Sequence, residues 1–358
     1  MRVGVLTGGG DCPGLNAVIR AVVRKGILHY DDEFLGFMEG WRGVLENKSM
    51  VLDYDSISGI LPRGGTILRT SRTNPAKKEH GLERCVETLN KNGLDALIAL
   101  GGDDTQSVSL KLFERGVNVV AVPKTIDNDL SGTDLCFGFD TAVSIATEAI
   151  DRVHTTAEAH NRVIVVEVMG RDAGWIALYS GVAGGADLIL IPERPIDIDE
   201  VAQAIQRRHD RGRYFSIVVV AEGAHLAEDA GVITESRKTD EFGHVRLGGI
   251  GNALAAEIER RTGFETRAVV LGHILRGGTP TAFDRMLATR YGVAAIDLVH
   301  QGKFGRMVAL KGNDITSVPI ADAVAKTRQV NQEMIDVALS LLDKQEASAL
   351  SSYVRGLS

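Results

Sequence analysis

Residues 96–105 read Ala-Leu-Ile-Ala-Leu-Gly-Gly-Asp-Asp-Thr, and residues 117–129 read Val-Asn-Val-Val-Ala-Val-Pro-Lys-Thr-Ile-Asp-Asn-Asp. Each stretch begins with a short apolar run, which is typical of a strand buried on both faces. Each then passes into glycine or polar residues that end a strand. Five further runs of this kind occur, at 2–7, 34–38, 163–168, 216–221 and 268–271.

Helical patterns lie between these runs. Apolar residues between positions 15 and 27 recur at spacings of three and four, as on one face of a helix. Alternating strands and helices favour a parallel sheet covered on both sides. Because 358 residues with 44% hydrophobic content can fill more than one core, the sequence predicts an α/β protein with two doubly wound, mostly parallel-sheet lobes.

The composition restricts location and partners. A net charge of -7 argues against nucleic-acid binding, so an anion site would need a local group of arginines. Cys12, Cys85 and Cys136 lie far apart, as is typical of reduced thiols in a cytosolic protein. No signal-peptide pattern or long apolar segment suggests secretion or a membrane span. We therefore expect a cytoplasmic protein.

Acidic residues follow both opening strands. Asp103 and Asp104 follow the first strand, and Asp127 and Asp129 end the second stretch. The carboxyl ends of neighbouring parallel strands meet at one edge of a sheet, so these carboxylates should lie close together. Crowded carboxylates repel unless a cation separates them, and such a group can deprotonate a hydroxyl beside Mg²⁺. For Asp103 alone, a simple helix cap is the alternative.

A glycine-rich turn at 8–14 follows the first strand and precedes a helix. It is compatible with a phosphate loop and equally with a tight structural connection. The dinucleotide fingerprint fails because Pro13 stands where glycine is needed, and the Walker motif fails because Phe304 follows Gly302-Lys303.

Several arginines are candidates for phosphate binding, because a guanidinium makes paired contacts with phosphate oxygens. A single arginine is more often a solvated surface charge. Three of these arginines border strand-like runs and a fourth lies in a glycine turn. The set is Arg72, Arg162, Arg171, Arg267 and Arg276, with His273 close to the last two.

Together these segments resemble the 6-phosphofructokinase family. The core of the resemblance is 125–129, and both Met169-Gly170-Arg171 and 267–278 match family segments nearly residue for residue. The resemblance extends from residue 1 to about 343. It implies the phosphofructokinase-like fold and Mg²⁺-dependent phosphoryl transfer to the 1-hydroxyl of fructose 6-phosphate, a reaction of glycolysis and gluconeogenesis.

The resemblance also implies a role for each candidate residue. Asp127 would be the base on the 1-hydroxyl, Asp129 would orient that hydroxyl near the metal, and Asp103 would bind Mg²⁺. The positions expected to hold the transferred phosphoryl group are Gly10, Arg72 and Arg171. The positions expected to contact the sugar are Thr125, Met169, Gly170 and Glu222. Those expected to bind the 6-phosphate are Arg162, Arg267, His273 and Arg276.

Arg162 and Arg267 are expected to come from a neighbouring subunit. The resemblance therefore implies a homo-oligomer, either a dimer or a tetramer, with shared active sites. It also implies a donor lobe at 1–137 and 275–325, a fructose 6-phosphate lobe at 138–274 and 326–343, and a tail at 344–358. Polar residues 228–246 are expected to form a surface insertion.

Two residues depart from the ATP-dependent branch. Asp104 and Lys124 stand where ATP-using relatives carry glycine, and both resemble the pyrophosphate-dependent branch. Asp104 would occupy the space of an α-phosphate, and Lys124 would pair with the end of pyrophosphate and assist transfer. The alternative for these two residues is that both are neutral surface substitutions. The alternatives for the function are an ATP-dependent phosphofructokinase, another Gly-Gly-Asp kinase acting on NAD or lipid, and a non-catalytic regulatory subunit.

Overall fold

The protein is described by a computed structural model that covers residues 1–227, the backbone of 234–239 and 245–247, and residues 248–341. Strands and helices alternate along the chain, which confirms the predicted α/β class. The chain forms two compact units. Among the described residues, the first unit contains 1–141, Thr239 and 276–327, and the second contains 142–227, 234–238, 245–275 and 328–341.

The elements follow one another in this order. The strands are β1 (Arg2–Thr7), β2 (Glu33–Phe37), β3 (Ser49–Leu52), β4 (Ala96–Gly101), β5 (Val119–Pro123), β6 (Val163–Val168), β7 (Leu188–Leu190), β8 (Ser216–Ala221), β9 (Thr234–Thr239), β10 (Val245–Leu247), β11 (Thr266–Val270), β12 (Arg306–Lys311) and β13 (Asp314–Pro319). The α-helices are α1 (Leu15–Tyr30), α2 (Trp41–Glu46), α3 (Gly81–Lys91), α4 (Asp103–Phe113), α5 (Phe139–His160), α6 (Trp175–Ala183), α7 (Ile198–Asp210), α8 (Ile250–Thr262), α9 (Ala282–His300), α10 (Ile320–Val324) and α11 (Gln332–Ser340). Short 3-10 helices occupy Pro75–Lys77 and Gly272–Arg276.

The sheet of the first unit has seven strands in the order β13-β12-β5-β4-β1-β2-β3. Its inner pairs are parallel, whereas β3 and β13 pair antiparallel at the two edges. The chain leaves β1 toward β2 on one side, while β4 lies on its other side. This reversal of strand order opens a crevice beyond the carboxyl ends of β1 and β4, where doubly wound sheets bind ligands.

The sheet of the second unit has four parallel strands in the order β11-β6-β8-β7. Strands β6 and β8 are buried along their whole length, as their continuous apolar sequences predict. The chain passes from β6 to the edge strand β7 and returns to β8 between them. In this sheet, the crevice in which a ligand can bind therefore lies beyond the carboxyl ends of β6 and β8.

The predicted strands at 2–7, 163–168 and 216–221 match the structure at both ends, and the other four are shifted by one or two residues. The remaining strands were not predicted. Strand β13, for example, is half-exposed and carries no continuous apolar run. The predicted tail at 344–358 lies outside the described residues. The predicted insertion at 228–246 is described only in part, and its described residues belong to β9 and β10, which pair with each other. In the described part of the chain, no helix is both long and apolar enough to cross a lipid bilayer.

Candidate active site

The acidic residues of the first unit lie at one edge of its sheet. Strands β4 and β5 are parallel neighbours, with Gly101 paired to Pro123, which confirms the predicted proximity of their carboxyl ends. Asp103 begins α4 directly after β4, and Asp127 and Asp129 follow β5. The Lys124 amide donates to the Gly101 carbonyl at 3.0 Å and joins the two strand ends.

A tight turn holds the second pair of acids. The Thr125 hydroxyl accepts a hydrogen bond from the Asp127 amide at 3.0 Å. Asn128 adopts a left-handed conformation with φ of 53°, and its side-chain oxygen accepts from the Cys136 amide at 2.9 Å. Asparagine tolerates this conformation better than most residues. This structural role of Asn128 was not predicted, although an asparagine between two aspartates is a usable signal for a turn.

The two acids of this turn are in an unfavourable electrostatic environment. Oδ1 of Asp127 is buried and has no hydrogen-bond partner among the described residues. Burial and, to a lesser degree, the nearby charges of Asp127 and Asp103 raise the pKa of Asp129 to about 7. A cation, or a hydroxyl donor for Asp127, would relieve both effects.

These acids fit a magnesium ion that takes part of its coordination from a substrate. The described residues contain no group of three or more histidine, cysteine or acidic side chains arranged to hold a metal. Mg²⁺ commonly takes only one or two protein carboxylates and completes its shell with water and phosphate oxygens. Asp103 and Asp129, whose charges interact, are two carboxylates that can supply such ligands.

The glycine-rich loop after β1 packs against the first turn of α4. The Gly8 amide donates to the Leu100 carbonyl at 2.9 Å. A Cβ atom at Gly8 would lie 2.6 Å from the hydroxyl of Thr105, so a larger residue would push the loop away from the helix. Glycine at this position therefore keeps the loop next to Asp103 and Asp104.

Two cationic side chains converge on Gly10. Lys124 is only 3% exposed, and its ammonium group donates to the Gly10 carbonyl. A guanidinium nitrogen of Arg276 lies 2.6 Å from the position that a Cβ atom of Gly10 would take, and it donates to the Asp11 carbonyl at 3.4 Å. Burial lowers the pKa of Lys124, and the charge of Arg276 lowers it further. This pair of cations is suited to an anion at the loop.

Arg276 and Arg72 both belong to this region. The structure places Arg276 beside Gly10 in the first unit, and its Nε is buried without a partner among the described residues. Arg72 is exposed in an irregular segment tied to the glycine-rich loop. The Gly9 amide donates to the Ser71 carbonyl at 3.3 Å, and the Thr70 hydroxyl donates to the Gly9 carbonyl at 2.5 Å. Arg72 is thus carried at the margin of the loop.

The carboxyl edge of the second sheet carries another predicted group, namely Met169, Gly170, Arg171 and Glu222. The first three directly follow β6, and Glu222 follows β8. The Glu222 amide donates to the Val168 carbonyl at 2.8 Å. A Cβ atom at Gly223 would lie 1.7 Å from the Arg171 carbonyl oxygen, so only glycine allows this close approach of the two segments.

Glu193, which was not predicted as a site residue, holds the Arg171 turn in place. The carboxylate of Glu193 accepts from the Gly174 amide at 3.0 and 3.1 Å and from the Val330 amide at 2.9 Å. Gly174 immediately precedes α6 and lies three residues after Arg171. No local pattern indicates this role, because the two amides come from segments far apart in sequence.

The remaining predicted phosphate ligands lie elsewhere in the second unit. Arg162 precedes β6 and Arg267 is the second residue of β11, so both lie at the amino edge of this sheet. The length of β6 separates them from Arg171 by about 17 Å along the strand. His273 is exposed in the 3-10 helix after β11. Within one chain, the arginines predicted for one substrate therefore fall at opposite edges of the sheet.

Comparisons with known protein sequences all point to one family. The phosphofructokinase family matches residues 2–299 of the chain. The chain is 59% identical over 337 residues to pyrophosphate--fructose 6-phosphate 1-phosphotransferase from Streptomyces coelicolor, covering 94% of this chain and 98% of that protein. It is 52% identical over 341 residues to ATP-dependent 6-phosphofructokinase 2 from the same organism, covering 95% and 100%.

A solved structure supports the same relationship. The structure of Pichia pastoris phosphofructokinase superimposes with a TM-score of 0.81 at 30% sequence identity, covering 99% of this chain. This chain spans 39% of that longer chain. The sequence match, the two doubly wound units and the superposition together establish that the chain belongs to the phosphofructokinase family.

Proposed function

We propose that this protein transfers a phosphoryl group from pyrophosphate to the 1-hydroxyl of D-fructose 6-phosphate in a reversible, Mg²⁺-dependent reaction. The observation that carries the proposal is the buried, unpartnered Oδ1 of Asp127 at the carboxyl end of β5. A buried carboxylate oxygen without a donor is unfavourable, and a substrate hydroxyl would supply the missing hydrogen bond. Asp127 would then accept the proton of that hydroxyl as it attacks the phosphoryl group.

The first unit would hold the donor and the metal. Asp103 and Asp129 would bind Mg²⁺, which offsets phosphate charge and orients the donor when it is bound. Gly10 and the cation Lys124 would line the donor phosphates, with Arg72 at the margin of the loop. Neutralising phosphate charge in this way stabilises the transition state of phosphoryl transfer.

The second unit would bind the sugar phosphate. Met169, Gly170 and Glu222 would contact the sugar, and Arg171 would neutralise the transferring group. His273 and Arg276 would contribute to the 6-phosphate site. Because Arg162 and Arg267 lie at the other edge of the sheet, we propose that they complete the site of another copy of the chain. The active protein is then a homo-oligomer, and we place it in the cytoplasm.

Pyrophosphate is favoured as the donor by Asp104 and Lys124. Asp104 lies in the first turn of α4, next to the glycine-rich loop, where a carboxylate would repel a longer polyphosphate chain. Lys124 is already aimed at that loop. The similarity to an ATP-dependent relative keeps ATP as the second candidate donor. Family membership argues against an NAD kinase or lipid kinase, and the retained Asp127 and Arg171 argue against a non-catalytic subunit.

A donor-swap assay tests the proposal. Purified protein with Mg²⁺ and fructose 6-phosphate should form fructose 1,6-bisphosphate with pyrophosphate and little or none with ATP. The reverse reaction, from bisphosphate and phosphate, should yield pyrophosphate. A preference for ATP would overturn the choice of donor alone, whereas no product with either donor would overturn the proposed activity. Chelation of Mg²⁺ should abolish turnover in both directions.

A further inference from the structure

One acidic side chain connects the two arginines at the amino edge of the second sheet. Oε2 of Glu265 lies 2.7 Å from Nε of Arg162, and Oε1 of Glu265 accepts a hydrogen bond from the Arg267 guanidinium at 2.6 Å. The Glu265 carbonyl also accepts from the Val163 amide at 3.1 Å, which fixes the start of β11 beside the start of β6. The backbone pairing thus brings this carboxylate between the two guanidinium groups.

Glu265 and Arg162 lie close together, but the N–H of Arg162 is poorly aligned for a hydrogen bond. Its Nε is buried and has no hydrogen-bond partner of good geometry among the described residues, despite the 2.7 Å distance to Glu265. The contact is therefore an ion pair without a well-aligned hydrogen bond. A ligand with more acceptor oxygens could satisfy this donor better than the carboxylate does.

The two guanidinium groups share one close carboxylate, that of Glu265. The second acid at this edge, Glu259, is farther away, at 3.9 Å from Arg267. The Arg162 guanidinium lowers the pKa of the Glu265 carboxyl, so Glu265 stays negatively charged near neutral pH. All three paired side chains remain open to solvent, with exposures of 28% for Arg162, 57% for Arg267 and 39% for Glu265. A phosphate in solution can therefore reach them.

We propose that Glu265 is an internal counter-ion that occupies Arg162 and Arg267 and must be displaced when these arginines bind the 6-phosphate of the sugar. This rests on the proposed function, which assigns a sugar phosphate to them. A phosphate dianion matches two guanidinium groups in charge and offers three acceptor oxygens, so it replaces the carboxylate favourably. Glu265 nevertheless weakens binding, because its own contacts are lost and its charge repels the dianion.

The test is the affinity of the full-length protein for fructose 6-phosphate, measured by calorimetry without a phosphoryl donor. Glu265→Gln should lower Kd about three- to tenfold, the range expected when two partly exposed ion pairs no longer compete. Glu265→Ala should act in the same direction and guards against a glutamine that still pairs with one arginine. The gain should shrink as the salt concentration rises, because salt screens exposed charges.

The chain offers a matched control. Glu257 also bridges two arginines, Arg260 and Arg261, so Glu257→Gln makes the same change in charge at a different arginine pair. It should leave Kd unchanged. In an Arg162→Gln/Arg267→Gln background, Glu265→Gln should give no gain, because its effect depends on those two side chains.

The outcomes separate this inference from the proposed function. Wild-type protein that binds fructose 6-phosphate, with Glu265→Gln binding equally or more weakly, would overturn the role of Glu265 as a competitor and leave the function intact. Weaker binding would indicate instead that Glu265 positions the arginines. Wild-type protein that binds no fructose 6-phosphate and forms no bisphosphate would overturn the function and this inference together.

Discussion

The ammonium group of Lys124 donates a hydrogen bond to the carbonyl oxygen of Gly10, 114 residues earlier in the chain. This contact ties the end of β5 to the glycine-rich loop that follows β1. The amine is buried, and burial lowers its pKa, so an anion that arrives at the loop would stabilise its charged form. Lys124 therefore both shapes the loop and is a cation for the proposed donor.

Donor choice should respond to Asp104 and Lys124 in different ways. Asp104→Gly should admit ATP by removing bulk and charge, whereas Lys124→Gly should chiefly raise KM for pyrophosphate, by about 10- to 100-fold for a lost charge-assisted contact. The double variant should have the largest ATP-to-pyrophosphate ratio of kcat/KM, and the two effects should not simply add. Steady-state kinetics with each donor give this ratio for the wild type, the two single variants and the double variant.

Lys111→Gly is a suitable control for the loss of a lysine, because Lys111 is exposed on α4. It should leave the donor ratio unchanged. A double variant with the wild-type ratio would remove both residues from donor selection.

Asp127→Ser should lower kcat by about two to four powers of ten, the usual contribution of a general base. The affinity for fructose 6-phosphate should change much less, because the proton is transferred only as the hydroxyl attacks. Steady-state rates combined with calorimetric Kd values separate the two effects. Asp151→Ser, at an exposed position of α5, is the control. Unchanged turnover of the Asp127 variant would exclude Asp127 as the base.

Glu193→Ala should lower the free energy of unfolding by about 2 to 3 kcal/mol, because it leaves the amides of Gly174 and Val330 without their charged acceptor. Glu193→Gln should lose less, since its amide oxygen still accepts. Denaturant titrations monitored by circular dichroism measure both. Glu158→Ala, at an exposed site of α5, is the control. Equal stabilities of the Glu193 and Glu158 variants would contradict a stabilising role for the hydrogen bonds of Glu193.

Asp284 should make stability depend on pH. It is fully buried, and burial raises its pKa to about 6 although the Thr141 amide and hydroxyl both donate to it. A raised pKa in the folded state stabilises the protein fully below about pH 4, and this contribution is lost as the pH rises through 6. Relative to Asp284→Asn, which does not titrate, the wild type should lose about 3 kcal/mol of unfolding free energy between pH 4 and 7.

Denaturant titrations at several pH values check this expectation. Asp314→Asn, at an exposed position of β13, is the control for removing a carboxylate from the same unit. A difference between wild type and Asp284→Asn that stays constant with pH would show that Asp284 does not titrate in this range.

Much of the fold could be predicted because its inner strands are continuous apolar runs. Strands β6 and β8 are buried on both faces, and both ends of each were predicted. Edge strands such as β3 and β13 are partly exposed and lack that pattern. Their positions depend on pairing with β2 and β12, which no local sequence signal specifies.

The α/β class and the grouping of Asp103, Asp127 and Asp129 were predictable from the amino-acid sequence alone, because consecutive parallel strands place their carboxyl ends at one edge. Which distant side chains meet was not predictable in this way and depends on the folded arrangement of the strands. This arrangement places Arg276 against Gly10, and Glu265 between Arg162 and Arg267. Such placements follow from strand order and side-chain packing, which join segments far apart in the chain and leave no periodic pattern in the sequence.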